Sequence, residues 1–134
     1  MTWLDNICKV LEHPQYPQIK GRLIRKTITF EGGWVIDGKC AWGEINCQIR
    51  GKEPIDHIFL RNEELKEIGI PDEFISLNLP DLCPITEEIF FDYPNTGVSL
   101  SSWIIALNDS DFTYPEIVEF LKTTFPEEVT NEHN

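Results

Sequence analysis

No stretch of the chain approaches the ~18 apolar residues that a membrane-spanning helix requires, so such a helix is not expected. The start, Met1-Thr2-Trp3-Leu4-Asp5, has no basic segment followed by an apolar one, so a secretory leader is not expected either. The four cysteines (Cys8, Cys40, Cys47, Cys83) form no C-x-x-C pair, and His13, His57 and His133 form no H-x(3–5)-H half-site. That spacing excludes a zinc ribbon or finger, and reduced thiols in a cytoplasm are expected. Cations are scarce: 11 Lys and Arg stand against 23 Asp and Glu, a net charge of −12. Such a surface repels nucleic-acid phosphates and anionic lipid, so neither direct nucleic-acid binding nor membrane association is expected.

The chain has the composition of a folded domain. Its 134 residues fit one domain, and 41% are hydrophobic and 25% charged. The charge is unevenly spread. Residues 1–52 hold eight cations and five anions, a net of +3; residues 53–134 hold three and eighteen, a net of −15. The basic run Arg22 to Lys26 reads as a solvated strand face.

Local patterns predict an α+β fold, a small single domain with a short antiparallel β-hairpin packed against helices from both chain ends. Trp3, Leu4, Ile7, Cys8 and Leu11 recur at helical spacing, with Thr2 as cap, Asp5 three residues on, and His13-Pro14 as the stop. Leu23 to Phe30 is a β-branched strand, Gly32-Gly33 a hairpin turn, Trp34 to Ile36 the return strand, and Asp37-Gly38 a closing turn. Lys39 to Ile49 predicts a second helix, with Gly43 allowing close approach of the hairpin. Shorter helices are expected at Asn62 to Ile68, capped by Asn62 and stopped by Gly69, and at Pro71 to Ser76, with a turn at Thr86 to Phe91. Ser99 to Leu107 predicts a helix ending at Asn108-Asp109. Thr113-x-x-Glu116 is a capping box with Phe112 and Ile117 as staple, opening a helix that Pro126 ends. The domain is expected over 1–126, with 127–134 a flexible acidic tail.

Three segments carry a resemblance. They are Val10-Leu11…Tyr16-x-Gln18-x-x-Gly21-x-Leu23, then Cys40-Ala41-Trp42-Gly43-Glu44-Ile45, then Leu107-Asn108-Asp109…Thr113-Tyr114-Pro115-Glu116-Ile117-Val118. In order and spacing they resemble a family of small hypothetical proteins from bacteria and their phages. That family shows Leu-x-Ser-Gly-x-Tyr-x-Gln, Cys-Cys-Leu-Gly-Val-Leu and Leu-Asn-Asp…Ser-Phe-x-Glu-Ile-Ala segments. The match covers residues 10–45 and 107–121; Pro14 replaces a glycine, and Ala41-Trp42 replaces Cys-Leu. The resemblance implies a common fold and carries over no functional residues.

Within those segments Tyr16, Gln18, Cys40, Asn108 and Asp109 are the candidate ligand-binding groups. Read as structure, Asn108-Asp109 shape a turn and Cys40 packs as a small hydrophobe. Read as function, the two chain ends meet and these groups line a cleft. Asp56-His57 has no Ser or Cys partner fixed by spacing, and Asp109-x-Asp111 lacks the glycine and twelfth-position glutamate of a calcium loop. No catalytic residue, metal ligand or cofactor is therefore assigned. The expected function is a non-enzymatic protein-interaction or regulatory domain, acting on an unknown protein partner or as a homo-oligomer. Its anchors would be exposed aromatics among Trp34, Trp42, Phe90, Phe91 and Tyr93. The alternatives are a small-ligand protein or enzyme using the cleft near Tyr16, Cys40 and Asn108, and an acidic nucleic-acid mimic.

Overall fold

The computed structural model describes residues 2–54, 61–78, 81–82 and 97–129. The expected turn at 86–91, together with Asp56-His57, Phe90, Phe91, Tyr93 and the tail from 130 onward, lies outside them. Helix α1 spans Trp3–Glu12 and is opened by the expected box: the Thr2 hydroxyl accepts from the Asp5 amide, and the Asp5 carboxylate accepts from the Thr2 amide at 2.9 Å. Strands β1 (Ile24–Ile28) and β2 (Trp34–Lys39) form a two-stranded antiparallel sheet. Helix α2 (Ala41–Ile45) runs into a wider π-type turn, Asn46–Arg50, which Gly51 ends at φ 69°. Then come α3 (Arg61–Ile68), a short 3-10 turn at Asp72–Phe74, α4 (Leu100–Asp109) and α5 (Tyr114–Thr124).

Helices α1, α2, α4 and α5 share one core, in which Trp42, Trp103, Leu4, Ile7, Ile45 and Ile117 are completely buried. An aromatic group closes one end of it. Trp3 lies 4.8 Å from Phe74 and 5.8 Å from Phe125 between ring centroids, and Phe125 meets Trp103 edge-on at 6.1 Å. This is the expected α+β domain with helices from both chain ends around a hairpin.

Several boundaries differ from expectation, each for a physical reason. Asp37-Gly38 does not end β2. The strand continues to Lys39, with Arg25 paired to Gly38 and Lys26 to Ile36, which leaves Asp37 as the extra residue of a bulge. Gly38 is there for space, since a methyl on it would strike the Ile19 side chain. Helix α3 begins at Arg61, so Asn62 lies inside its first turn and not at its cap. Pro71 precedes a shorter turn than expected, with ψ at 152°. Asn108-Asp109 are the last residues of α4, and the left-handed residue is Asp111, at φ 77°. Phe112 packs edge-on against Phe120 at 4.9 Å. Residues 127–129, assigned above to the tail, take part in a 3-10 turn at Pro126–Glu128 whose Glu128 carbonyl accepts from the Thr2 hydroxyl.

Gly43 shows the expected close approach. A methyl there would overlap the Leu23 carbonyl oxygen, the acceptor of the Cys40 amide at the base of the hairpin. Helix propensity alone favours Gly43→Ala by about 1 kcal/mol. The overlap is with backbone, so the substitution is expected to destabilise by about 1–3 kcal/mol instead. Urea denaturation reads the sign directly.

Candidate functional site

The five singled-out residues lie near one another around a segment without regular structure that crosses between α1 and β1: Tyr16 and Gln18 lie on it, Cys40 stands at the start of α2, and Asn108 and Asp109 end α4. Residues 17–19 lie along the outer edge of β2 at its end: the Lys39 amide donates to the Pro17 carbonyl at 3.0 Å, and the Ile19 amide donates to the Lys39 carbonyl at 3.2 Å. Asn108, fully buried near the end of α4, ties this crossing to the rest. Its Oδ1 accepts from Gln18 Nε2 at 2.8 Å and from the Ala41 amide at 3.0 Å, and its Nδ2 donates to the Ile19 carbonyl at 2.7 Å. Gln18 Nε2 also donates to the Phe112 carbonyl at 2.8 Å. The next residue along α4, Asp109, accepts from the Gly21 amide at 2.9 Å.

Cys40 is 1% exposed and caps α2, its Sγ accepting from the Gly43 amide at 3.4 Å. It is thus a cap as well as a small buried group. Tyr16 is half-buried under the ammonium of Lys39, whose Nζ lies 4.2 Å from the ring centroid.

Three further groups hold this node and were not singled out from the sequence. The Glu44 side chain is completely buried and accepts from the Gln15 and Tyr16 amides at 3.0 and 2.8 Å and from Gln48 Nε2 at 2.9 Å. The Tyr114 hydroxyl donates to the Lys39 carbonyl at 2.7 Å, and burial raises its pKa well above the usual tyrosine range. Lys39 itself is buried. The one available signal was Glu44, a lone acid in the otherwise apolar and neutral segment Cys40 to Ile45. The donors and acceptors of the node face one another, so its chemistry is that of a clamp joining three chain segments. Among the described residues, no group of three His, Cys, Asp or Glu side chains is placed to hold a metal ion.

The hairpin is the other candidate, and it is a surface. Thr29 and Gly33 close its turn: the Thr29 amide donates to the Gly33 carbonyl at 2.7 Å, and the Gly33 amide donates to Thr29 Oγ1 at 3.1 Å. Strand alternation puts Ile24, Lys26 and Ile28 on one face, together with Ile36 and Trp34, which pair across the ribbon with Lys26 and Ile28. Arg25, Thr27 and Val35 lie on the other. Phe30 is fully exposed at the turn, Trp34 is 64% exposed, Ile28 60% and Val35 49%. Trp34 is the expected exposed aromatic. Trp42 is the correction: it is completely buried, and its Nε1 donates to Glu64 at 2.8 Å.

Beneath the first face runs an open groove of about 670 Å³, lined by Ile24, Trp34 and Ile105 and by the charged residues Arg22, Lys26, Glu53 and Asp109. Several charges on and near the hairpin are paired within the chain. Lys26 bridges to Glu53 at 2.7 Å, Arg25 to Asp37 at 2.8 Å, and Lys20 to Asp111. The Thr27 hydroxyl, and after it the Arg25 guanidinium, hold the Asp37 carboxyl below its ordinary range. A depressed folded pKa stabilises above the unfolded value, and that stability is lost as pH falls through the folded one. Thr27→Val is expected to move the Asp37 pKa up towards the ordinary ~3.9. An NMR pH titration of the Asp37 carboxyl carbon checks this, and an unchanged value would contradict it.

No family model, no curated protein and no solved structure matches this chain. Among the described residues, no helix is long and apolar enough to cross a membrane.

Proposed function

We propose that this protein is a non-enzymatic interaction domain that engages a protein partner through its hairpin. The observation that carries the reading is the exposed group Ile28, Phe30, Trp34 and Val35 on one two-stranded ribbon. Bulky apolar side chains so exposed and so close together mark a contact surface, and tryptophan with arginine at its rim is the composition of binding hot spots. Arg22, Arg25, Lys26 and Glu31 form that rim. Cys8, Cys40 and Cys47 as thiols suit a reducing, cytoplasmic setting.

The test is a pull-down from the lysate of cells that express the protein, with wild type and the double variant Phe30→Ser/Trp34→Ser as baits. A stoichiometric partner held by wild type and lost by the variant is the expected result. A partner held equally by both baits would overturn the hairpin as the binding surface.

A further inference from the structure

The groove beneath the hairpin is as charged as it is apolar, and only part of that charge is spent within the chain. Lys26 and Glu53 neutralise one another at 2.7 Å. Nearby, Lys20 is held by Asp111, Arg25 by Asp37, and Lys39 lies over the Tyr16 ring. Arg22 and Asp109 are different. Among the described residues neither is in an ion pair, with the other or with a third group. They stand close in the lining because the Gly21 amide, next to Arg22 in the chain, donates to Asp109 Oδ1 at 2.9 Å. Gly21 makes that contact from the left-handed region, at φ 77°, which glycine enters without strain. We infer that the groove is a binding site for a free aromatic amino acid: the Arg22 guanidinium takes its carboxylate, the Asp109 carboxylate its ammonium, and the Trp34 indole its ring.

Each part of such a ligand answers a feature of the lining. Arg22 and Lys26 stand against Glu53 and Asp109, so the charged lining has no net charge. A simple anion would meet Asp109 unmatched, and a simple cation would meet Arg22. A zwitterion satisfies both together. The guanidinium offers a planar fork of donors that matches a carboxylate. Asp109 spends one oxygen on Gly21, which leaves the other for an ammonium. The exposed Trp34 indole, with Ile24 and Ile105, supplies an apolar wall against which an aromatic ring packs. The volume of about 670 Å³ lies within the roughly 300–1,000 Å³ of small-molecule sites. The site shares Trp34 with the proposed protein contact but does not depend on that contact, and Phe30 is not part of its lining.

Isothermal titration calorimetry of the full chain tests the inference, with L-phenylalanine as the probe. Hydrocinnamate lacks the ammonium, phenethylamine the carboxylate and L-alanine the ring, and each is expected to bind about tenfold or more weakly. Arg22→Gln, at an exposed position, should weaken L-phenylalanine about tenfold or more without weakening phenethylamine. Asp109→Asn keeps an oxygen for the Gly21 amide, and should weaken L-phenylalanine by a similar factor without weakening hydrocinnamate. Selective losses of this kind are a readout that a general loss of folding cannot produce. No binding of L-phenylalanine, L-tyrosine or L-tryptophan up to about 10 mM overturns the inference. So does hydrocinnamate or phenethylamine binding as tightly as L-phenylalanine, or an affinity that Arg22→Gln and Asp109→Asn leave intact. The pull-down with Phe30→Ser/Trp34→Ser judges the protein contact separately, so either reading can fail alone.

Discussion

Asn108→Ala is expected to lower stability by about 3–5 kcal/mol, as two buried groups each lose a partner at about 1–3 kcal/mol apiece and a small cavity adds to the cost. The groups are the Ala41 amide and the Ile19 carbonyl, whose bonds to the Asn108 side chain are 3.0 and 2.7 Å. Gln18 contributes less to the loss because its Nε2 keeps the Phe112 carbonyl. The conservative change Asn108→Asp should not rescue. It removes the donor to Ile19 and places a carboxylate at a site with no exposure. Urea denaturation measures both variants, and a loss under about 1 kcal/mol for the alanine variant would contradict the clamp.

Trp42→Ala should cost about as much, about 3–5 kcal/mol, by a different route. The indole is completely buried, so its removal leaves a cavity bounded by α1, α4 and α3 side chains that cannot collapse together. The polar part of the effect can be separated. Trp42→Phe keeps most of the apolar volume but removes the Nε1–H that Glu64 accepts at 2.8 Å, and is expected to cost about 1–3 kcal/mol. If Trp42→Ala and Trp42→Phe were equal in cost, the hydrogen bond and not the packing would dominate, contrary to this account.

What the sequence made legible follows from the range of the interactions involved. Helices α1 and α5 announce themselves because their caps are local: Thr2 with Asp5, and Thr113 with Glu116, satisfy backbone amides within one turn. The hairpin is equally local, with alternation and a glycine turn. Asp37-Gly38 misleads because a dipeptide that suits a turn also suits a bulge beside a crowded glycine, and the crowding comes from Pro17 and Ile19, some twenty residues away. Trp42 misleads because α2 is buried all round, so no helical face remains to mark one side as exposed. The candidate groups Tyr16, Gln18, Cys40, Asn108 and Asp109 do lie near one another. Their role became visible only with Lys39, Glu44 and Tyr114 around them, residues whose types are unremarkable in sequence and whose contacts reach across 29 to 75 positions. The exposure of Phe30 and Ile28 is likewise a tertiary fact, because strand alternation marks two faces without saying what covers either.

These pieces divide the molecule in two. The node around Asn108 holds the fold, and Phe30 and Trp34 on the hairpin stay exposed, where the proposed function puts a partner. Equilibrium urea unfolding of Phe30→Ser/Trp34→Ser tests that division most directly. Side chains that contact a partner and not the core should leave stability within about 0.5 kcal/mol of wild type. A loss of about 2 kcal/mol or more would place Phe30 and Trp34 in the packed interior, and the hairpin would not be the interaction surface.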